Sequence, residues 1–152
     1  MPENSGSLRF YLDLSDPVEN APSIGPRTAE RMERIGIRLV SDFLQADAAA
    51  TAGKLGHRYI TAEVIRQWQL QTTLVCRIPH LRGHDAQILV ACGITDPESL
   101  ASLDAMELWK RVEPFVETNE GKRIVRSGKA PDFAEVYSWI QSAAQARQLR
   151  AA

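Results

Sequence analysis

Shifted by 57 residues, the chain falls onto itself, and this internal repeat constrains the fold more than any other feature of the sequence. One copy reads Ala21-Pro22-Ser23-Ile24-Gly25-Pro26-Arg27-Thr28-Ala29 and runs through Met32 to Gly36-Ile37. The other reads Ile78-Pro79-His80-Leu81-Arg82-Gly83-His84-Asp85-Ala86 and runs through Leu89 to Gly93-Ile94. Pro22 falls on Pro79, Ala29 on Ala86, Gly36 on Gly93, Ile37 on Ile94 and Asp47 on Asp104, with Ile24/Leu81, Met32/Leu89 and Phe43/Leu100 as apolar matches. Each identity has a mechanical use. Proline and glycine turn the chain, alanine lets two helices approach closely, and a Gly-Ile pair ends a helix with glycine in the left-handed conformation.

Local rules extend the helical reading. Ile60, Val64, Trp68, Thr72 and Val75 fall on one face of a long helix leading into the second copy. Asp96-Pro97-Glu98 has the form of an N-cap, a first-position proline and a first-turn acid, and Asp104 with Glu107 repeats a capping pattern. Pro114 is expected to kink or end its helix. A last helix starts at Asp132, with Phe133, Val136, Ile140 and Ala144 on its buried face. Between these two helices, Thr118 to Pro131 is polar and rich in Gly, Lys and Arg, the composition of a loop with at most a short helical turn at Arg123-Ile124-Val125. Ahead of the repeats, Leu8, Phe10, Leu12 and Leu14 alternate with Arg9, Tyr11 and Asp13, the period of a half-buried strand with no partner strand in a helical chain. The expected organisation is a flexible lead over 1–7, an extended arm over 8–16, a first repeat over 17–56, and a longer second repeat over 57–149 sharing one core with the first.

With 152 residues, 44% of them hydrophobic, the chain can bury a proper core. Its 18 basic and 19 acidic residues give a formal charge of −1, so phosphate neutralisation over the whole surface is excluded and any nucleic-acid role needs a local basic face. There is no signal-like apolar start and no run long enough to span a bilayer, and the two cysteines, Cys76 and Cys92, lie in helical segments. These features point to a cytoplasmic protein with reduced thiols.

The segment from Ser23 to Met32, followed by Gly36-Ile37, closely resembles the helix-hairpin-helix motif, with its apolar-Gly core, early basic residue and small residue in the second helix. Together with Ile78 to Ala86, Trp68-Gln69-Leu70-Gln71 and Gly121-Lys122-Arg123-Ile124-Val125-Arg126, it resembles a bacterial domain-of-unknown-function family, number 4332, over about residues 8 to 149. The resemblance implies an all-α, tandem helix-hairpin-helix fold. In helix-hairpin-helix proteins the hairpin amides and the start of the second helix hold a DNA phosphate without regard to base sequence. The matching positions here are Ile24, Gly25, Arg27 and Thr28. The second copy departs from the pattern, with Arg82 in the place of Gly25 and the glycine one position later at Gly83, leaving Arg82, Gly83 and His84 as its candidates.

Each candidate has a plainer alternative. Arg27, Arg31, Arg34 and Arg38 recur at helical spacing and would make a basic stripe, but Glu30 and Glu33 interleave as on an ordinary solvated face. Lys122, Arg123, Arg126 and Lys129 form a second basic cluster beside Glu117 and Glu120, either a backbone contact or a solvated loop. Cys76, His80, His84 and Cys92 stand at steps compatible with zinc, yet Pro79 and Gly83 interrupt the helix that would align them, and no metal or cofactor is expected. The first hairpin is also similar to that of helix-hairpin-helix DNA glycosylases, for which Asp42 is the only downstream candidate; Val40-Ser41-Asp42-Phe43 reads better as a helix start, and no catalytic role is expected. Trp68, Trp109 and Trp139 serve either as stacking platforms or as core. The leading expectation is a non-catalytic, sequence-tolerant DNA-binding module acting through Gly25, Arg27 and Thr28, with Arg31 and Arg34 adding charge. The competing expectation is a protein-interaction module whose arm docks on a partner or on a second copy.

Overall fold

Over residues 7–126 and 128–150, which the computed structural model describes, nine α-helices and a 3-10 turn at Val18–Asn20 form, and no strand does. The helices are α1 (Pro26–Glu33), α2 (Val40–Gln45), α3 (Ala48–Leu55), α4 (Ala62–Arg77), α5 (Gly83–Ala91), α6 (Pro97–Ala101), α7 (Ala105–Val116), α8 (Asn119–Val125) and α9 (Phe133–Ala143). The all-α class read from the sequence is what forms, and no described helix is long and apolar enough to cross a membrane. Apart from Ser7, the lead expected over 1–7 lies outside the described residues.

Four helix starts recur at the same 57-residue interval: Pro26 and Gly83, Val40 and Pro97, Ala48 and Ala105, Ala62 and Asn119. The chain conformation ahead of them recurs as well. Ser23 and His80 both take positive φ, 70° and 65°, and Gly36 and Gly93 both end their helices at φ near 90°. Asp47 and Asp104 cap α3 and α7 through their carboxylates, while Thr61 and Thr118 cap α4 and α8 through their hydroxyls. The recurrence thus reaches one helix further than the sequence comparison.

One continuous cluster of buried side chains runs from Leu12 to Ala143 and includes Ile24, Met32 and Phe43 of the first copy with Leu81, Leu89 and Leu100 of the second. α4 is its axis, packing against α2, α3 and α5. Its single apolar face is too narrow a description, since Gln71, Thr72, Leu74, Val75 and Cys76 are all buried in its second half. Along this helix Gln69 donates to the carbonyls of Phe43 and Ala46 at 3.0 and 2.9 Å, closing the end of α2, and Thr72 donates back to Trp68 at 2.7 Å.

Three local expectations are corrected. The segment read as a loop from Thr118 contains α8, because the Thr118 hydroxyl accepts from Gly121 N and the bare Gly121 lets this helix press onto the last turn of α7. On α9 the buried residues are Val136, Trp139 and Ala143; Phe133 is exposed and Ala144 lies outside the core, because α6 and α7 pack on a face turned toward Trp139. Pro114 does not stop α7 at once: it lies inside the helix, which runs two residues further to Val116.

The arm is extended but is not a strand. Leu12 is 2% exposed in the core, while Arg9, Tyr11 and Asp13 face outward as the alternation requires. Its backbone pairs with other segments of the same chain: Val40 N and Ser41 N, at the start of α2, donate to Asp16 and Leu14, and His80 N, in the turn before α5, donates to Arg9. Arg147, beyond α9, locks it by donating to the carbonyls of Leu12 and Cys76 and to Asp13, with its guanidinium 3.9 Å from the centre of the Phe10 ring.

Candidate nucleic-acid interface

At the first hairpin, Ile24 is buried and contributes only backbone to the surface, whereas Gly25 and Arg27 are exposed and Thr28 and Arg31 half-buried. Gly25 is the N-cap of α1 in extended conformation, and no side chain caps this helix start. A methyl group on Gly25 would meet nothing within 4 Å and its φ is −88°, so neither space nor backbone strain demands glycine there. Pro26 occupies the first helical position, and the first-turn amides of Arg27 and Thr28 have no helix acceptor and no side-chain cap.

The arginine stripe is shorter than its spacing suggested. α1 ends at Glu33 with Arg34 as its C-cap, so Arg38 lies beyond the Gly36 turn and off the helix. Arg34 pairs loosely with Glu30 at 3.6 Å, and Arg27 shares a shallow groove with Glu19, Glu30 and Glu33. This flank is therefore of mixed charge.

The second hairpin is closed where the first is open. Arg82 is the N-cap of α5 with φ −93° and ψ 167°, close to the conformation of Gly25, so an arginine fits the position without strain. Its backbone N–H and its side chain both donate to Asp85, a carboxylate 2% exposed, and its guanidinium reaches Glu135 on α9 at 2.6 Å. Burial works against the charge, but Asp85 and then Glu135 outweigh it and hold Arg82 protonated above its ordinary range. His84 lies 3.6 Å from Asp85, and Gly83 faces inward, where an added methyl would touch Pro22 at 3.6 Å. Arg82 thus lines a separate cavity of about 250 Å³, already neutralised by two carboxylates.

The basic residues of the second cluster stand on and after α8. Lys122, Arg123, Arg126 and Lys129 are all exposed. Arg123, Ile124 and Arg126 line a groove with Gln87 of α5, and Gln87 Nε2 donates to Ser23 Oγ at 2.8 Å. Ser23 Oγ in turn donates to Gln71 Oε1 at 2.6 Å. The first hairpin and the α8 cluster, far apart in sequence, therefore meet on one surface through Gln87. Ser23, Gln71 and Gln87 were not singled out from the sequence; the available signal was Gln71, a polar residue within the packed half of α4.

The other candidates are accounted for structurally. Asp42 accepts from the N–H groups of Arg38 and Leu39 at the start of α2. Cys76 is buried in α4, Cys92 caps α5 half-buried, and among the described residues no three metal-ligating side chains converge. Trp139 is core, and Trp109 meets Phe133 edge to face at 6.3 Å.

Fold and site together define an all-α chain of short helices in two offset sets, open at one hairpin and closed at the other. The chain belongs to the family described as Domain of unknown function (DUF4332), whose model matches residues 22–146. No curated protein and no solved structure matches it significantly.

Proposed function

We propose that the protein is a non-catalytic module binding DNA without base specificity, with the phosphate backbone running from the first hairpin at Gly25, Arg27 and Thr28 to the α8 cluster. The observation that carries this reading is the open, uncapped start of α1, joined through Ser23 and Gln87 to the groove of Arg123 and Arg126. Helix-start amides and a glycine suit a phosphate oxygen, and two arginines supply the charge that the α1 flank lacks. Arg82, tied to Asp85 and Glu135, has a structural part in this scheme.

Fluorescence anisotropy with a labelled duplex at several salt concentrations tests it. Two or three phosphate contacts predict a log-log salt slope of roughly −2 to −3, with little change on altering base sequence. Gly25→Ala, which the fold has room for, should weaken binding while the melting temperature stays near the parent's, and Arg123→Glu should weaken it further. Absence of binding by folded protein at low salt overturns the proposal.

A second reading, a protein-interaction module, draws on a different surface. The inner face of the arm is occupied by its own chain, but Met106, Phe133 and Tyr137, 47%, 39% and 48% exposed, leave an apolar patch on α7 and α9 beside Trp109. If that reading holds, Phe133→Asp with Tyr137→Asp abolishes self-association in sedimentation velocity and leaves DNA affinity unchanged.

A further inference from the structure

The cavity that Ser23 shares with α4, α5 and α8 has features that the phosphate path does not use. About 280 Å³ in volume, it has Trp68, Val64 and Ile124 in its lining. That is at the small end of ligand pockets, with room for one ring system rather than a whole nucleotide. Gln71 lies against it, 9% exposed, its carbonyl accepting from Ser23 while its NH₂ meets no acceptor among the described residues. No described side-chain polar atom is both enclosed and unpartnered, so this amide opens into the cavity that Gln71 lines. Open to the cavity, this amide is a donor available to water or to an acceptor that enters.

Gln87 complements it. Its NH₂ donates to Ser23 Oγ, which leaves its carbonyl as an acceptor. Donor and acceptor thus flank Ser23, the arrangement that meets the hydrogen-bonding edge of a base, and Trp68 in the same lining supplies an aromatic ring for stacking. Ser23 itself takes φ 70°, the turn conformation that His80 repeats at 65°, and from that turn its hydroxyl meets both glutamines. At the far side of Gln87 and Ile124 the next groove carries Arg123 and Arg126, while Glu120 stands at the cavity itself. Charge therefore sorts the two ends: phosphate toward the arginines, an uncharged ring beside the carboxylate.

We infer that this cavity receives a single unstacked base of the bound DNA, stacked on Trp68 and held at its edge by Gln71 and Gln87 whichever base it is. The inference rests on the DNA reading above and deepens it, because it makes DNA with an extrahelical base the preferred partner over perfect duplex.

The test compares a blunt duplex with the same duplex carrying one bulged 2-aminopurine. The bulged form should bind about tenfold more tightly, the gain expected from stacking one base, and the fluorescence of the 2-aminopurine should be quenched on binding. Trp68→Leu and, separately, Gln71→Leu should erase that preference while keeping the affinity for blunt duplex. If either variant fails to fold, Val64→Phe, at a half-buried position in the cavity lining and away from the phosphate path, fills the cavity and carries the same expectation. Equal affinity of the parent for the two duplexes, or a preference that survives these substitutions, overturns the base pocket and leaves the phosphate path standing. Binding to neither duplex removes the DNA reading, and the pocket with it.

Discussion

Gly121→Ala is expected to destabilise the protein by about 3 kcal/mol, the upper part of the range for overpacking a close contact. The sign runs against propensity, since alanine inside a helix is normally better than glycine by about 1 kcal/mol. What reverses it is proximity. A methyl group at residue 121 would lie 2.2 Å from the carbonyl oxygen of Phe115 and 2.6 Å from the Cα of Val116, both backbone atoms that no rotamer change can move aside. α8 would have to lift from α7, carrying Lys122, Arg123 and Arg126 with it. Thermal unfolding followed by circular dichroism should show a loss of roughly 10 °C. A midpoint equal to or above the parent's would mean that the two helices do not cross this closely. Because the basic groove depends on that docking, the same variant should also bind duplex DNA less tightly.

The second large effect is expected at Arg147. Its guanidinium donates to the Cys76 carbonyl at 2.8 Å, to the Leu12 carbonyl at 3.0 Å and to Asp13 at 3.2 Å, and it covers the Phe10 ring. Arg147→Ala leaves two carbonyls without this donor and uncovers an aromatic ring, a loss of about 3 kcal/mol for charge-assisted bonds at a partly exposed site. Arg147→Lys should recover less than half, because an ammonium cannot fork between carbonyls on two segments. Cys76 reports the event. Its thiol is fully enclosed, and burial, partly offset by Arg147, pushes its pKa from 9.0 up to about 12. In the parent it should resist alkylation at neutral pH, and in Arg147→Ala it should react measurably faster as the arm releases. Equal alkylation rates would show that the arm does not guard this thiol. The raised pKa also sets a direction with pH. The folded chain keeps this proton when the unfolded chain has lost it, so the contribution is fully present below about 9 and is lost as the pH rises toward 12. Urea midpoints should fall across that window, and less so in Cys76→Ala.

Much of this architecture was legible because the informative residues act locally. Gly36 and Gly93 end helices whatever surrounds them, and Asp47, Asp96, Asp104 and Asp132 cap helices through their own carboxylates, so pattern alone located them. The alternation in Leu8 to Leu14 gave Leu12 as buried and Phe10 and Leu14 as half-buried but failed at Leu8, which is exposed, and a period of two cannot say that segments of its own chain and Arg147, rather than another strand, would take the backbone bonds. α8 was hidden because Gly121 resembles a loop residue, and only the proximity of α7 shows that it serves contact instead of flexibility.

At the site, the sequence could name the open hairpin and the basic cluster but not that they adjoin. Their junction runs through Ser23 of the first hairpin and Gln87 of α5, neither of which stands out until the fold assembles them. Arg82 shows the reverse. As a residue type it looked ready for phosphate, and only the buried Asp85 and the distant Glu135 reveal that its charge is already spent.

The Arg147 clip also bears on the order of the chain. It fastens a carbonyl 135 positions upstream to the segment that follows the last helix, so the two outer stretches of the described fold leave from neighbouring points. Topologically the polypeptide is nearly a closed ring. Such a unit can be interrupted at an exposed turn such as Gly56 and rejoined across the clip with little change to its interior, or be inserted into a loop of a host protein without prying that loop apart.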